Sequence, residues 1–107
     1  MACAAAEVSG FYADGACWRC RGALTMGNSA DVLKESESLP LPASGVIDAS
    51  GLSEADSAAL AVFLSLARRA DSEGKTLRFD AVPDALSTLA HVYGVDSLLA
   101  LQMRAPA

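Results

Sequence analysis

Four groups of residues have types and spacing that could do chemistry. Cys17-Trp18-Arg19-Cys20 has the spacing of a dithiol redox pair, which works when a helix N-terminus lowers one thiol pKa. This pair falls instead in a segment that reads as a strand, where alternation sends Cys17 and Cys20 to opposite faces. Trp18 and Cys20 then point into the core, with Cys17, Arg19 and Arg21 outward. Gly74-Lys75-Thr76 copies the end of a phosphate-binding loop, but Arg69 stands where that loop needs its first glycine, and the glycine follows a helix rather than a strand. His91 is the single histidine and has no Cys or carboxylate at ligand spacing, so no metal site is expected. With no second acid, base or nucleophile converging on any of these, neither a catalytic centre nor a cofactor is expected, and the chain reads as a non-enzyme.

The fourth group is Asp56-Ser57, a carboxylate and a hydroxyl at the start of the strongest helical segment. Either side chain can cap the free N–H groups of the first turn, worth about 1 kcal/mol. In the helix that follows, Leu60, Phe63, Leu64 and Ala67 share a face that should cover a sheet. Ala58, Ala61, Val62 and Ser65 form a smooth, uncharged strip on the other side, where an exposed helix usually shows Lys and Glu. Beside a hydroxyl at a helix start, such a strip suits the docking of a partner protein.

The elements that must position these residues follow from punctuation and periodicity. Asp14-Gly15 supplies the positive φ of a tight hairpin between strands at Phe11–Ala13 and Cys17–Arg21. Asn28 or Ser29 starts a helix to about Ser38, stopped by Leu39-Pro40-Leu41-Pro42. Gly45–Gly51 is a β-branched apolar run bounded by glycines, a buried strand. Ser57 to about Ser72 is helical, with Arg68 and Arg69 in its closing turns and Gly74 beyond its end. Lys75–Phe79 alternates as a strand, and Pro83-Asp84 opens a last helix that Gly94 ends. The tail, Val95–Ala107, begins as a short helix and frays. Successive crossovers imply parallel strands. The predicted fold is α/β, a four-stranded mixed sheet with an exposed hairpin edge and three main helices packed mainly on one face.

Composition narrows the function classes. The chain has 107 residues, 52% hydrophobic and 20% charged, with eight Gly and four Pro, which fits a single domain over 1–107 with its core at about 8–100. Aromatics are only 6%, so the core must rest largely on Leu, Val and small side chains. The formal charge of −5, with no basic cluster beyond Arg68-Arg69, argues against nucleic acid. No apolar run approaches the roughly 20 residues that span a bilayer, so direct membrane insertion is not expected. The Ala-rich start, Met1–Val8, lacks a basic leader region, and three cysteines suit a reducing, cytoplasmic setting.

Several stretches together resemble the STAS domain family, in particular its MlaB-like branch. They are the Asp14-Gly15 hairpin with Gly22-Ala23-Leu24, Val46-Ile47-Asp48-Ala49-Ser50-Gly51-Leu52, Asp56-Ser57-Ala58-Ala59-Leu60-Ala61, and Leu89-Ala90-His91-Val92-Tyr93-Gly94-Val95. The resemblance covers about Phe11 to Leu99. It implies a cytoplasmic accessory subunit that binds the ATPase of a phospholipid ABC transporter, and through it the permease at the inner membrane. It also implies that Asp56, Ser57, Ala58, Ala61, Val62 and Ser65 form the partner-binding and regulatory surface, with Ser57 the candidate phosphorylation site. In anti-sigma factor antagonists of the same family the phosphorylated serine lies two residues after the aspartate, and here that residue is Ala58. A regulatory switch that binds an anti-sigma kinase is therefore the alternative, and it would have to use Ser57 or another hydroxyl. The exposed strand edge and the small-residue helix face leave a homodimer open for the isolated chain.

Overall fold

The computed structural model describes residues 9–95 and 100–103, and side chains over 9–95. The Met1–Val8 segment with Cys3, and residues 96–99 and 104–107 of the expected fraying tail, lie outside it. In chain order the elements are β1 (Gly10–Asp14), β2 (Cys17–Leu24), α1 (Ser29–Ser36), β3 (Val46–Ala55), α2 (Ser57–Ser72), β4 (Arg78–Val82), α3 (Asp84–Val92) and β5 (Ala100–Met103). The sheet order is β1-β2-β3-β4-β5, with β1 antiparallel to β2 and every later pair parallel. Each parallel crossover moves one step further along the sheet, and crossovers of one hand then place all three helices on the same face. The expected α/β fold with a mixed sheet and three helices is present, and the sheet has five strands where four were expected, β5 being the addition.

Its core lies between that face and the helices. Trp18, Cys20 and Leu24 of β2, Ile47, Ala49 and Leu52 of β3, and Phe79 and Val82 of β4 are buried. They meet Ala59, Leu60, Val62, Phe63, Leu66 and Ala70 of α2, Val32 of α1, and Leu86 and Ala90 of α3. Phe63 stacks on Phe79 with ring centroids 4.4 Å apart. Trp18 lies 5.6 Å from Phe11 and donates from Nε1 to the Pro40 carbonyl at 3.1 Å, so the proline connector closes over the largest core side chain.

Helix ends show why the chain turns where it does. After α2, Gly74 (φ +72°) lets Lys75 N–H bond Ala70 O at 2.7 Å and its own N–H bond Asp71 O at 3.1 Å. The same pair of bonds recurs around Gly94 after α3, with Val95 N–H to Ala90 O and Gly94 N–H to His91 O. Both are Schellman closures, which need a residue with positive φ. Arg69 ties the two longer crossovers together: its guanidinium donates to Ser36 O at 3.2 Å and Leu39 O at 2.7 Å, satisfying carbonyls at the end of α1.

Several expected boundaries move. The hairpin centres on Gly15 and Ala16, because Asp14 pairs with Cys17 and is itself in the strand; Gly15 carries the positive φ (+65°). The third strand runs past Gly51 to Ala55, since shifts of register against β2 at Arg19/Arg21 and Gly22/Ala23 let pairing continue where alternation breaks. The fourth begins at Arg78 rather than Lys75, because Lys75 N–H closes α2 and the first sheet-edge bond is Arg78 N–H to Gly45 O at 2.7 Å. The short helix expected at the start of the tail falls on residues 96–99, outside the described residues; where fraying was expected, Ala100–Met103 forms β5, which pairs with β4. Short apolar runs read equally as helix or strand, and here the open edge of β4 decides.

Two backbone positions give opposite mutational outcomes. Gly45 has φ +74°, and a Cβ there would lie 2.5 Å from Thr76 O; Gly45→Ala should destabilise by at least about 2 kcal/mol. Ala81 has φ +56° in the irregular stretch of β4, so Ala81→Gly should be neutral or stabilise by up to about 1 kcal/mol. Urea denaturation midpoints check both, and a stable Gly45→Ala variant would refute the close approach.

Candidate functional site

The site is built at the C-terminal ends of β2 and β3, where the chain passes into α1 and α2. Asp56 leaves β3 in extended conformation (φ −131°, ψ −165°) and caps α2. One carboxylate oxygen accepts the Ala58 N–H at 2.8 Å, and the other accepts the Met26 N–H at 3.2 Å. A single side chain thus fixes both the start of α2 and the β2–α1 turn. That turn is further held by Asn28, whose Oδ1 accepts from Thr25 N–H at 2.9 Å while its Nδ2 donates to Ala23 O at 2.9 Å. Asn28 is the residue before α1 but makes no side-chain cap, because its amide is committed to this turn.

Ser57, the first residue of α2, is exposed, and among the described residues no hydrogen bond engages its hydroxyl. Ala61 is exposed one turn on, and Ala58 and Ser65 are half-buried. The expected strip is therefore present at Ser57, Ala61 and, at its margin, Ala58 and Ser65. Val62 is not part of it: at 3% exposure it is a core residue beside Phe63 and Leu66. The inward face of α2 centres on Ala59, Phe63, Leu66 and Ala70, which fall within an arc of about 60° on the helical wheel, and Val62 falls on its flank. Leu64 and Ala67, expected to cover the sheet, are only half-buried at the edge of the core. The outer strip thus runs Ser57, Ala61, Leu64 and Arg68 rather than toward Val62.

Met26 was missing from the sequence-level site. It is 79% exposed, the most exposed large apolar side chain among the described residues, and Asp56 holds its backbone beside Ser57. The Thr25-Met26-Gly27-Asn28 turn was the available signal, since an apolar residue at the tip of a polar turn is out of place.

The cysteine pair is split as expected. Cys20 is 1% exposed in the core, and Cys17 is half-buried on the opposite sheet face, 3.4 Å from Ser44 Oγ. Burial pushes the Cys20 thiol up to about 12, because the interior disfavours the thiolate. Gly74-Lys75-Thr76 serves the closure of α2, and His91 lies exposed in the last turn of α3.

Asp56→Ala should cost about 1–2 kcal/mol and loosen the Met26 turn, whereas Asp56→Asn should keep the bond to Ala58 and lose the one to Met26. Amide hydrogen exchange at Met26 and Ala58 separates the two effects, and equal protection at Met26 in wild type and Asp56→Asn would contradict the bridge. The raised Cys20 pKa sets a second expectation. Its contribution to stability is fully present below the ordinary thiol pKa of 9.0 and is lost as pH rises toward about 12. In a Cys3→Ser background, Cys17 should react with a thiol reagent in the native protein and Cys20 only on unfolding; Cys20→Ala should flatten the alkaline fall in stability.

The sequence matches the STAS domain family described as "Mlab, STAS domain" across residues 16–101. No curated protein matches it. The matched span begins at the hairpin turn and contains both Met26 and the Asp56-Ser57 start of α2. The chain belongs to the MlaB-type STAS domain family.

Proposed function

We propose that this chain is a non-catalytic, cytoplasmic accessory subunit that docks on the ATPase of a phospholipid ABC transporter of the Mla type and supports or regulates it. The observation that carries this reading is the exposed Ser57 hydroxyl at a helix start fixed by Asp56, in a chain of the MlaB-type family. In the anti-sigma antagonist pattern the hydroxyl would lie at position 58, which is Ala58. The docking end combines Met26 as an apolar anchor, Ser57 as a hydrogen-bonding group, and Ala61 with the margins of Ala58 and Ser65 as a close-approach surface. Asp56 acts through the helix start it orders. Attachment to the inner membrane then runs through the ATPase and permease: among the described residues no helix is long and apolar enough to cross a membrane.

Such a subunit regulates by differential binding. If it prefers one ATPase conformation, it shifts the population by the difference in affinity, typically about 1–3 kcal/mol. Phosphate on Ser57 would be tolerated at the helix N-terminus but would place charge in the docking surface, releasing the partner without unfolding the domain.

The test is affinity capture of the tagged chain from its own cells in mild detergent, for wild type, Ser57→Ala and Ala61→Glu. Wild type should bring down an ABC ATPase and its permease. Ala61→Glu should recover at least about tenfold less, with an unchanged melting temperature, because it sets a charge against an apolar contact. Undiminished recovery with Ala61→Glu would remove this surface from the interface. Capture of an anti-sigma kinase without transporter subunits would replace the transport reading with the regulatory switch.

A further inference from the structure

The sheet face turned away from the helices carries a second pattern, fixed by strand register. Asp14 pairs with Cys17, Cys17 lies beside Val46, and Val46 pairs with Arg78, which makes one row across four strands. The next row is Tyr12, Arg19, Asp48 and Asp80. Each row is the complement of its own reverse. A two-fold axis along the strands, between β2 and β3, sets Asp14 against Arg78, Cys17 against Val46, Arg19 against Asp48 and Tyr12 against Asp80. We propose that this face is the seat of a second copy of the chain, in a symmetric sheet-on-sheet dimer.

The chemistry of the face favours that occupant. Asp14, Asp48 and Asp80 balance Arg19, Arg21 and Arg78, so the face offers no excess charge to a strongly acidic or basic partner. Its few apolar members, among them Val46 and Ala81, are too scattered for a lipid surface. Arg19 and Arg78 are each oriented within the chain, by Asp14 at 2.7 Å and by Asp80 at 2.7 and 3.1 Å, and remain half-exposed. A guanidinium has five donors, so Arg19 can serve Asp14 and Asp48 of the second copy together, and Arg78 can serve Asp80 and Asp14 of the second copy. Face-to-face sheets pack with strands within about 30° of each other, which keeps these rows in reach. A shallow depression of about 380 Å³ between Cys17, Arg19, Asp48 and Asp80 leaves room for bridging water. The helices face outward in such a dimer, so Ser57 and Met26 stay accessible and the two proposals stand or fall separately.

Charge reversal tests it with the full chain, by sedimentation equilibrium at low and high salt. Wild type should dimerise, more weakly at high salt. Arg19→Glu and Asp48→Lys should each weaken self-association by about 100-fold or more, because each sets like charges opposed twice across the axis. An equimolar mixture of the two should recover dimers, since both facing pairs become complementary, and recovery shows that both variants are folded. Asp14→Lys mixed with Arg78→Glu gives an independent second pair. A wild type that stays monomeric to its solubility limit, dimers indifferent to these charges, or a mixture that fails to recover would each overturn the proposal.

Discussion

The handedness of the parallel crossover governs this molecule. Because each crossover steps one strand further in the same direction, a single hand puts α1, α2 and α3 on one side of the sheet. Most of the large apolar side chains then have one place to go, and Trp18, Ile47, Phe63 and Phe79 meet in a single layer. The other side is left with Asp14, Arg19, Asp48, Arg78 and Asp80, a polar face produced by the same alternation that builds the core. The domain therefore has two chemically distinct surfaces, one made by helix exteriors and loop ends, the other by the strands themselves.

On the helical side, Asp56 joins what would otherwise be two independent loops. Its bonds to Met26 and Ala58 mean that the tip of the β2–α1 turn and the first turn of α2 move as one body. The backbone that carries the exposed Ser57 hydroxyl is thereby fixed, while the hydroxyl itself is not tied down. Arg69 does the corresponding job at the far end of α2, where it fastens the end of α1 through Ser36 and Leu39. The placement of α1 against α2 is thus held at both ends by polar side chains, while the adhesion of the helix layer to the sheet rests on apolar area.

Much of this was legible in the residues. Glycines at 15, 74 and 94, the proline connector, and the alternation of Cys17 through Arg21 announced the hairpin, the helix ends and the facing of β2, because each depends on local stereochemistry. What was not legible depends on distant chain. The extension of β3 to Ala55 requires register shifts against β2, and β5 exists through the free edge of β4. Within the site, Asp56 as cap and Ser57 as exposed neighbour were readable from their types and positions. Val62 was misplaced because α2 is covered across more of its circumference than a narrow apolar stripe suggests, with α1 and α3 flanking the sheet contact. Met26 was missed because its importance comes from a bond made thirty positions away in sequence.

One feature of the core carries a practical consequence. Trp18 is the only tryptophan of the chain, sealed from solvent by Phe11 and the Pro40 carbonyl. Its fluorescence is an internal gauge of the seam between the sheet and the proline connector. It is far in kind from either outer surface, since it answers to loss of packing rather than to a neighbour's arrival. A blue emission retained on assembly therefore reports rigid-body docking, and a red shift on assembly reports that the connector has been prised from the sheet.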